Sequence, residues 1–258
     1  MAFLCTATVA GAQQMSRLDS ARARDRRINQ GMMLGFQMAN NPEVSAAISA
    51  LLQDEGTHMR MAPKRAVAPG DSARAAAIVQ TARSALSKYK DVKVAEADGY
   101  REFMPWLVNQ PIYHYNNLAN AFAVVGPFDA TKPISLLYKK NDKGEMTLVG
   151  AMYSALPSST LEELDARMPT SIANWHEHVN FCAANRDSVR AGAVKADPAT
   201  VAHWLRINTP EECAAMGGRF VPRVFGWMAH VYMFAGDDPK VIWGEHGSMD
   251  MDMHHPGA

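Results

Sequence analysis

The sequence predicts an α+β domain: an antiparallel sheet with helices packed on one side, preceded by an N-terminal helical extension. After residue 100 the chain shows short runs of alternating apolar and polar residues with turn signals between them, and helical spacing dominates before that point. The runs at residues 134–139 and 146–153 flank an N-D-K-G turn at 141–144, which predicts a hairpin. Helices beside antiparallel strands are typical of the α+β class.

Composition excludes several classes of protein. The 258 residues include 26 basic and 26 acidic side chains, and 48% are hydrophobic, so one stable globular domain is expected rather than wholesale disorder. The balanced charge gives no indication of a nucleic-acid partner. No apolar stretch approaches the roughly 18 residues that a membrane span needs. The oligomeric state stays open.

Four segments are expected along the chain. The apolar run at 3–9 and the A-G-A at 10–12 predict a signal peptide over residues 1–12, and therefore a periplasmic or secreted protein. Residues 13–70 are predicted as a helical extension ending in a linker from about residue 56. The α+β domain follows over 71–245, and the Met/His-rich tail at 246–258 is predicted to be disordered.

The remaining elements follow from capping residues, helical spacing and alternation. Asp71 or Ser72 is expected to cap the first helix of the domain. Predicted helices cover residues 15–40, 41–54, 73–89, 92–98 and 160–166, and two more begin at the D-P of 197–198 and the T-P-E-E of 209–212. Two more strands are predicted at 172–182 and 220–234, the second bent or bulged at Gly226.

The motif W-H-E-H-V-N at residues 175–180 is the most informative segment for chemistry. In a strand, His176 and His178 share one face, about 6 to 7 Å apart, and both can bind one metal ion. The same alternation places Glu177 and Phe181 on the opposite face. The alternative is a polar face that is simply solvated.

Two further histidines lie in apolar strand-like segments. His114 stands between two tyrosines, and His230 lies in a run where a charged imidazole would be costly to bury. With His176 and His178 they give four imidazoles, a set that suits a zinc or copper ion. We expect the four to converge on one site, although each could instead be a core histidine bonded to backbone.

Methionine is the second unusual feature, with 17 in the chain. Thioether sulfur beside imidazole is a soft ligand set that suits copper, particularly its reduced ion. A secondary metal site is therefore predicted from two groups of residues: His58, Met59 and Met61, and the tail residues His254 and His255. The alternative is ordinary core packing and a disordered tail.

Cys182 and Cys213 form an even pair once Cys5 is removed with the signal peptide. In an oxidising compartment they are expected to form a disulfide. Two buried thiols are the alternative.

Several blocks of the sequence resemble a group of uncharacterised bacterial secreted proteins. They are A-E-A-D-G-Y at 95–100, H-Y-N-N at 114–117, K-P through L-L-Y at 132–138, L-V-G-A-M-Y at 148–153, and W-H-E-H-V-N at 175–180. The resemblance covers about residues 71–245. It implies a single domain and export, and it implies no substrate.

The predicted function is that of an exported metal-binding protein for copper or zinc. One alternative is a metal-dependent enzyme in which Glu177 or a tyrosine assists at the same histidines. Another is a metal-free module that binds a small molecule in an aromatic cleft, formed by Trp106, Tyr113, Trp175 and Trp227. No H-E-x-x-H, phosphate loop, C-x-x-C or G-x-S-x-G motif occurs, so no reaction is predicted.

Overall fold

The computed structural model describes residues 57–105, 107, 110–185, 200, 203–204 and 206–244. The expected signal peptide, the helices at 15–40 and 41–54, and the tail with His254 and His255 lie outside the described residues. The predicted helix start at 197–198 lies outside them as well.

The described residues contain five α-helices, two short 3₁₀ helices and eight strands. The α-helices are α1 (Asp71–Leu86), α2 (Val92–Ala97), α3 (Leu161–Arg167), α4 (Pro210–Ala215) and α5 (Pro239–Ile242). The 3₁₀ helices are Ser87–Lys90 and Leu118–Val124. The strands are β1 (Met59–Met61), β2 (Arg101–Glu102), β3 (Tyr113–Asn116), β4 (Ser135–Lys140), β5 (Met146–Ala155), β6 (His176–Ala183), β7 (Arg219–Arg223) and β8 (Trp227–Val231).

All eight strands join one antiparallel sheet, in the order β1-β6-β8-β5-β4-β3-β2, with β7 also paired to β6. The predicted α+β class and the β4–β5 hairpin are confirmed. The predicted strand at 220–234 is divided into β7 and β8 at 224–226. Gly226 lies at this break because a Cβ there would lie 2.2 Å from the carbonyl oxygen of Ala155.

The main core lies between one face of the sheet and the helices. Alternate residues of each strand contribute to it, such as Tyr113 and Tyr115 of β3 and Ala229 and Val231 of β8. Four of the five helices bury residues in the same core: Ala82 and Leu86 from α1, Ala95 from α2, Leu164 from α3 and Ile242 from α5. The predicted packing of helices on one side is therefore confirmed. None of the helices within the described ranges has the length and apolar character that a membrane crossing requires.

Three boundaries differ from the sequence prediction. The segment predicted as a linker contains β1, which pairs with β6 at the edge of the sheet. Strand β6 begins at His176 rather than at residue 172, because residues 170–173 form a turn in which Ala173 bonds to Pro169. Helix α1 begins at Asp71 itself, and the capping residue is Gly70 with φ of 89°. The prediction of Asp71 or Ser72 as the cap is wrong.

The expected disulfide between Cys182 and Cys213 is present. It joins the end of β6 to α4, and it packs beside Trp204 and Gly218. A cross-link across 31 residues stabilises a fold by roughly 3 to 4 kcal/mol in the chain-entropy model. The bond therefore fixes β6, the strand that carries two of the candidate histidines.

On the helix side of the sheet, Glu177 is fully buried between two arginines. Arg60 donates to its Oε1, and Arg223 Nε lies 2.5 Å from its Oε2. The arginines themselves reach solvent, with side chains 56% and 30% exposed respectively. A buried carboxylate is tolerable only because these partners neutralise it.

Glu177 is buried whereas its arginine partners reach solvent, so removing an arginine and removing the carboxylate should lower the free energy of unfolding by different amounts. Arg223→Met should lower the free energy of unfolding by about 3 kcal/mol, because it leaves a buried carboxylate with one exposed partner. Glu177→Leu should cost about 1 kcal/mol, since the two arginines can turn towards water. Urea unfolding of both variants measures the difference. Equal losses, or a larger loss for Glu177→Leu, would contradict the assignment.

A second ion-pair network ties α1 to α3. Arg65 donates to Asp165 through Nε at 2.6 Å and to Asp71 through Nη1 at 2.6 Å. Asp165 also accepts hydrogen bonds from the backbone and hydroxyl of Thr170. Arg65 is the largest cause that lowers the pKa of Asp165 to about 2, and the bonds from Thr170 act in the same direction.

The lowered pKa of Asp165 predicts a pH-dependent contribution to stability. Because the folded-state pKa lies below the unfolded value of about 3.9, the contribution is present above pH 4 and is lost as the pH falls towards 2. Asp165→Asn should lower the free energy of unfolding by about 1 to 2 kcal/mol at pH 7. The difference from wild type should shrink towards pH 2. Asp142→Asn, in the exposed hairpin turn, is the control, and its free energy of unfolding should match that of the wild type from pH 7 to pH 2. If Asp165→Asn is less stable than the wild type by the same amount at every pH, the pH-dependent contribution of Asp165 is refuted.

Candidate metal centre

The four histidines predicted as metal ligands lie on the face of the sheet opposite the main core. His114 alternates with Tyr113 and Tyr115 in β3, and these tyrosines face the helices. His230 alternates with Ala229 and Val231 in the same way. His176 and His178 alternate with Glu177 in β6, so the predicted strand pair is present. Apolar residues complete this face: Ile112, Leu137, Val149, Met152, Met228 and Tyr232.

The four rings form a continuous series. Ring centroids are 5.5 Å apart between His114 and His230, 5.0 Å between His230 and His176, and 5.7 Å between His176 and His178. His176 and His230 are only 4% and 5% exposed, while His114 and His178 are partly exposed. The structure thus brings all four residues together, with access from solvent at the two ends of the series.

Curvature of the sheet makes this contact possible. Strands β3 and β8 are three positions apart, which in a flat sheet means a separation of about 14 Å. A register shift in the β4–β5 pairing between Leu137 and Tyr138 bends the sheet at this point. Gly150 allows close approach here, because a Cβ would lie 2.3 Å from the carbonyl oxygen of Val231. The sheet therefore curves towards the histidine face.

His114 and His230 approach each other through their ring nitrogens. Their Nε2 atoms are 3.3 Å apart, so one nitrogen donates a proton that the other accepts. Two ligands of a tetrahedral ion with bonds of 2.0 to 2.1 Å are also about 3.3 Å apart. The pair has the spacing that two imidazole ligands adopt around one ion.

Three of the four histidine rings also bond to backbone groups, which orient the rings. Nδ1 of His176 is 3.3 Å from the carbonyl oxygen of Asn174, and His114 bonds to the backbone of Ile112, also two residues before it. His178 bonds to the backbone of His58, and its buried Nδ1 has no hydrogen-bond partner among the described residues. A ring held by a backbone carbonyl through one nitrogen is typical of histidines that bind metal through the other.

Burial keeps the imidazoles uncharged. It is the largest cause that lowers the pKa of His114 and of His178 to about 4 and that of His176 to about 3. The charged groups that act on these pKa values are other histidines, not carboxylates. At neutral pH the rings are therefore in the form that binds metal ions.

The secondary group predicted from sequence lies beside the same face. In the register of β1 and β6, Met59 is directly opposite His178 and Met61 is opposite His176. His58 stacks on Phe181 with ring centroids 4.6 Å apart, and its Nδ1 is 3.2 Å from the carbonyl oxygen of Val179. Cross-strand partners share a face, so Met59 and Met61 extend the histidine cluster rather than form a separate one.

Two methionines that sequence reasoning missed occupy equivalent positions. Met152 of β5 is directly opposite His230, and Met228 of β8 is directly opposite His176. Both are buried on the histidine face. Their alternation within strands is visible in the sequence, but the pairing that places them beside histidines is set by register between distant segments.

The arrangement is not a finished ligand set. Among the described residues, no three histidine, cysteine or carboxylate side chains are already grouped to hold a metal ion. The rings form a series, and the nitrogens of His114 and His230 within it lie at ligand spacing from each other. An ion at this pair would need further ligands from small side-chain movements, from methionine or from solvent.

Two expectations about neighbouring residues are corrected. Glu177 faces the helices and is held by Arg60 and Arg223, so it cannot assist chemistry at the histidines. Phe181 was expected on the face opposite His178, but the ring centroids of the two residues are 6.4 Å apart. Asn180, between them, has φ of 61°, and this backbone conformation interrupts the alternation of side chains along the strand.

Three of the four residues expected in an aromatic cleft lie within the described part of the chain. Tyr113, Trp175 and Trp227 are buried in the main core, and Trp106 lies outside the described residues. A small surface depression lies elsewhere, lined by Phe128, Tyr153 and Arg167 among others.

Comparison with protein-family models, curated proteins and solved structures finds no match to this chain.

Proposed function

We propose that this protein binds a transition-metal ion, copper or zinc, at the histidine cluster, with His114 and His230 as its first two ligands. The observation that carries the proposal is the 3.3 Å separation of their Nε2 atoms on a largely buried face. That distance matches two imidazoles around one tetrahedral ion. His176, whose ring centroid is 5.0 Å from that of His230, is the nearest candidate for a third ligand.

The surroundings of the pair support this function. The backbone bonds of His114 and His176 fix ring orientation before any ion arrives. The buried Nδ1 of His178 is a polar atom for which the described residues supply no partner, and such atoms are costly unless something binds them. Partial exposure of His114 and His178 gives an ion a route to the cluster.

We also propose that the protein works in the periplasm or outside the cell. The disulfide between Cys182 and Cys213 supports this location, since disulfides persist mainly in oxidising compartments. The resemblance of the sequence blocks to bacterial secreted proteins implies the same.

The alternative functions gain less support. A metal-dependent enzyme would need an acid or base beside the ion. Glu177 lies on the other face, which leaves Tyr232, whose ring centroid is 6.1 Å from that of His230, as a tyrosine near the cluster. An aromatic binding module would need open aromatic surface, and Tyr113, Trp175 and Trp227 are buried.

The proposal predicts that zinc binding depends on the histidine pair. Zinc is the probe because it has no redox chemistry. The full chain is stripped with chelator and used without a histidine tag, with His254 and His255 replaced by glutamine to remove binding by the tail. It should bind one zinc ion, measured by competition with a chromophoric chelator, and His114→Gln and His230→Gln should each weaken binding at least tenfold.

The control is His203→Gln, which changes an exposed histidine outside the cluster and should bind zinc as the parent does. Zinc should also raise the melting temperature of the parent and the control, and much less that of the pair variants, because a ligand stabilises only the state that binds it. Urea unfolding of each metal-free variant establishes that it folds. A parent that binds neither zinc nor copper, or folded pair variants that bind like the control, would refute the function.

A further inference from the structure

Methionines occupy nearly every position directly opposite the clustered histidines. Among the described residues, five register pairs involve these histidines, and four of the five partners are methionine: Met59 and Met61 in β1, Met152 in β5 and Met228 in β8. The fifth partner is Leu137, opposite His114. Directly opposite residues share a face, with Cβ atoms about 4.5 to 5.5 Å apart, which is within reach of a flexible thioether side chain.

This concentration of methionine does not extend to the rest of the core. Methionine is 17 of 258 residues, or about one position in fifteen. The helix side of the sheet buries 28 residues in its main core, and only Met168 and Met233 among them are methionine. General use of methionine to fill gaps in the core would not place it selectively beside histidines.

The two cysteines within the described residues do not supply the soft ligand. Cys182 and Cys213 are joined to each other, so the described residues offer no free thiolate. A thioether cannot form a disulfide, and it keeps its sulfur available in an oxidising compartment. Zinc is held in proteins by cysteine, histidine and carboxylate, whereas thioether sulfur favours reduced copper.

We propose that the ion bound at His114 and His230 is copper in the reduced state, and that Met152 supplies a thioether ligand to it. The inference rests on the metal-binding function proposed above and names its ion. Met152 is directly opposite His230, and Met228, two residues from His230 in β8, lies on the same face as an alternative sulfur. The surrounding apolar residues Ile112, Leu137 and Val149 exclude water and disfavour a more highly charged ion.

Two binding measurements on the same set of variants test this assignment. Affinity for Cu(I) is measured without oxygen by competition with a chromophoric Cu(I) chelator, and affinity for Zn(II) is measured separately. The variants of the full chain are Met152→Leu, Met228→Leu and the double variant, and the matched control is Met168→Leu on the helix side. Leucine keeps the volume and apolar character, so each variant should fold.

The methionine variants are expected to lose affinity for Cu(I) and to keep their affinity for Zn(II). The wild type should bind Cu(I) more tightly than Zn(II). The double variant should lose at least tenfold in Cu(I) affinity and change less than twofold for Zn(II), while Met168→Leu should change neither. X-ray absorption of the Cu(I) protein should detect a sulfur neighbour at about 2.3 Å that weakens in the double variant.

Failure of this inference is separable from failure of the metal-binding function. If zinc binds through His114 and His230 but the methionine variants keep full Cu(I) affinity and no sulfur is detected, the copper assignment is overturned and the metal-binding function stands. If His114→Gln and His230→Gln leave the binding of both ions unchanged, both proposals are overturned.

Discussion

Curvature of the sheet is the constraint on which the candidate site depends. His114 and His230 belong to strands three positions apart, yet their Nε2 atoms lie 3.3 Å from each other. The shifted register of β4 against β5 and the absence of a side chain at Gly150 allow the strands to bend this far. A flatter sheet would leave two isolated core histidines with no shared chemistry.

The two faces of this sheet differ in how their buried polar groups are stabilised. One face packs tyrosine, tryptophan and aliphatic side chains against four helices, and two arginines neutralise the buried carboxylate of Glu177 there. The other face buries imidazoles, and burial lowers the pKa of His114, His176 and His178, so these rings stay neutral at pH 7 rather than form ion pairs. Uncharged imidazole and thioether groups in apolar surroundings are a soft ligand environment.

Much of the fold was predictable because it depends on local signals. Alternation predicted the β4–β5 hairpin and the shared face of His176 and His178, and the T-P-E-E of 209–212 located the start of α4. Strand β1 was missed because its three residues, M-R-M, are too short to show a period and form a strand only through pairing with β6. The positive φ of Asn180 had no local signal, and it moved Phe181 to the side of His178. The alignment of Met152 and Met228 with histidines depends on register between segments that are far apart in the sequence, which one sequence does not specify.

Anomalous diffraction from crystals of the full chain tests the central claim most directly. Crystals are loaded with Cu(I) without oxygen, and data are collected on both sides of the copper absorption edge. The account predicts one strong anomalous peak between the rings of His114 and His230, about 2.0 Å from each Nε2. Peaks confined to other parts of the molecule, with the two nitrogens still hydrogen-bonded to each other at 3.3 Å, would contradict it.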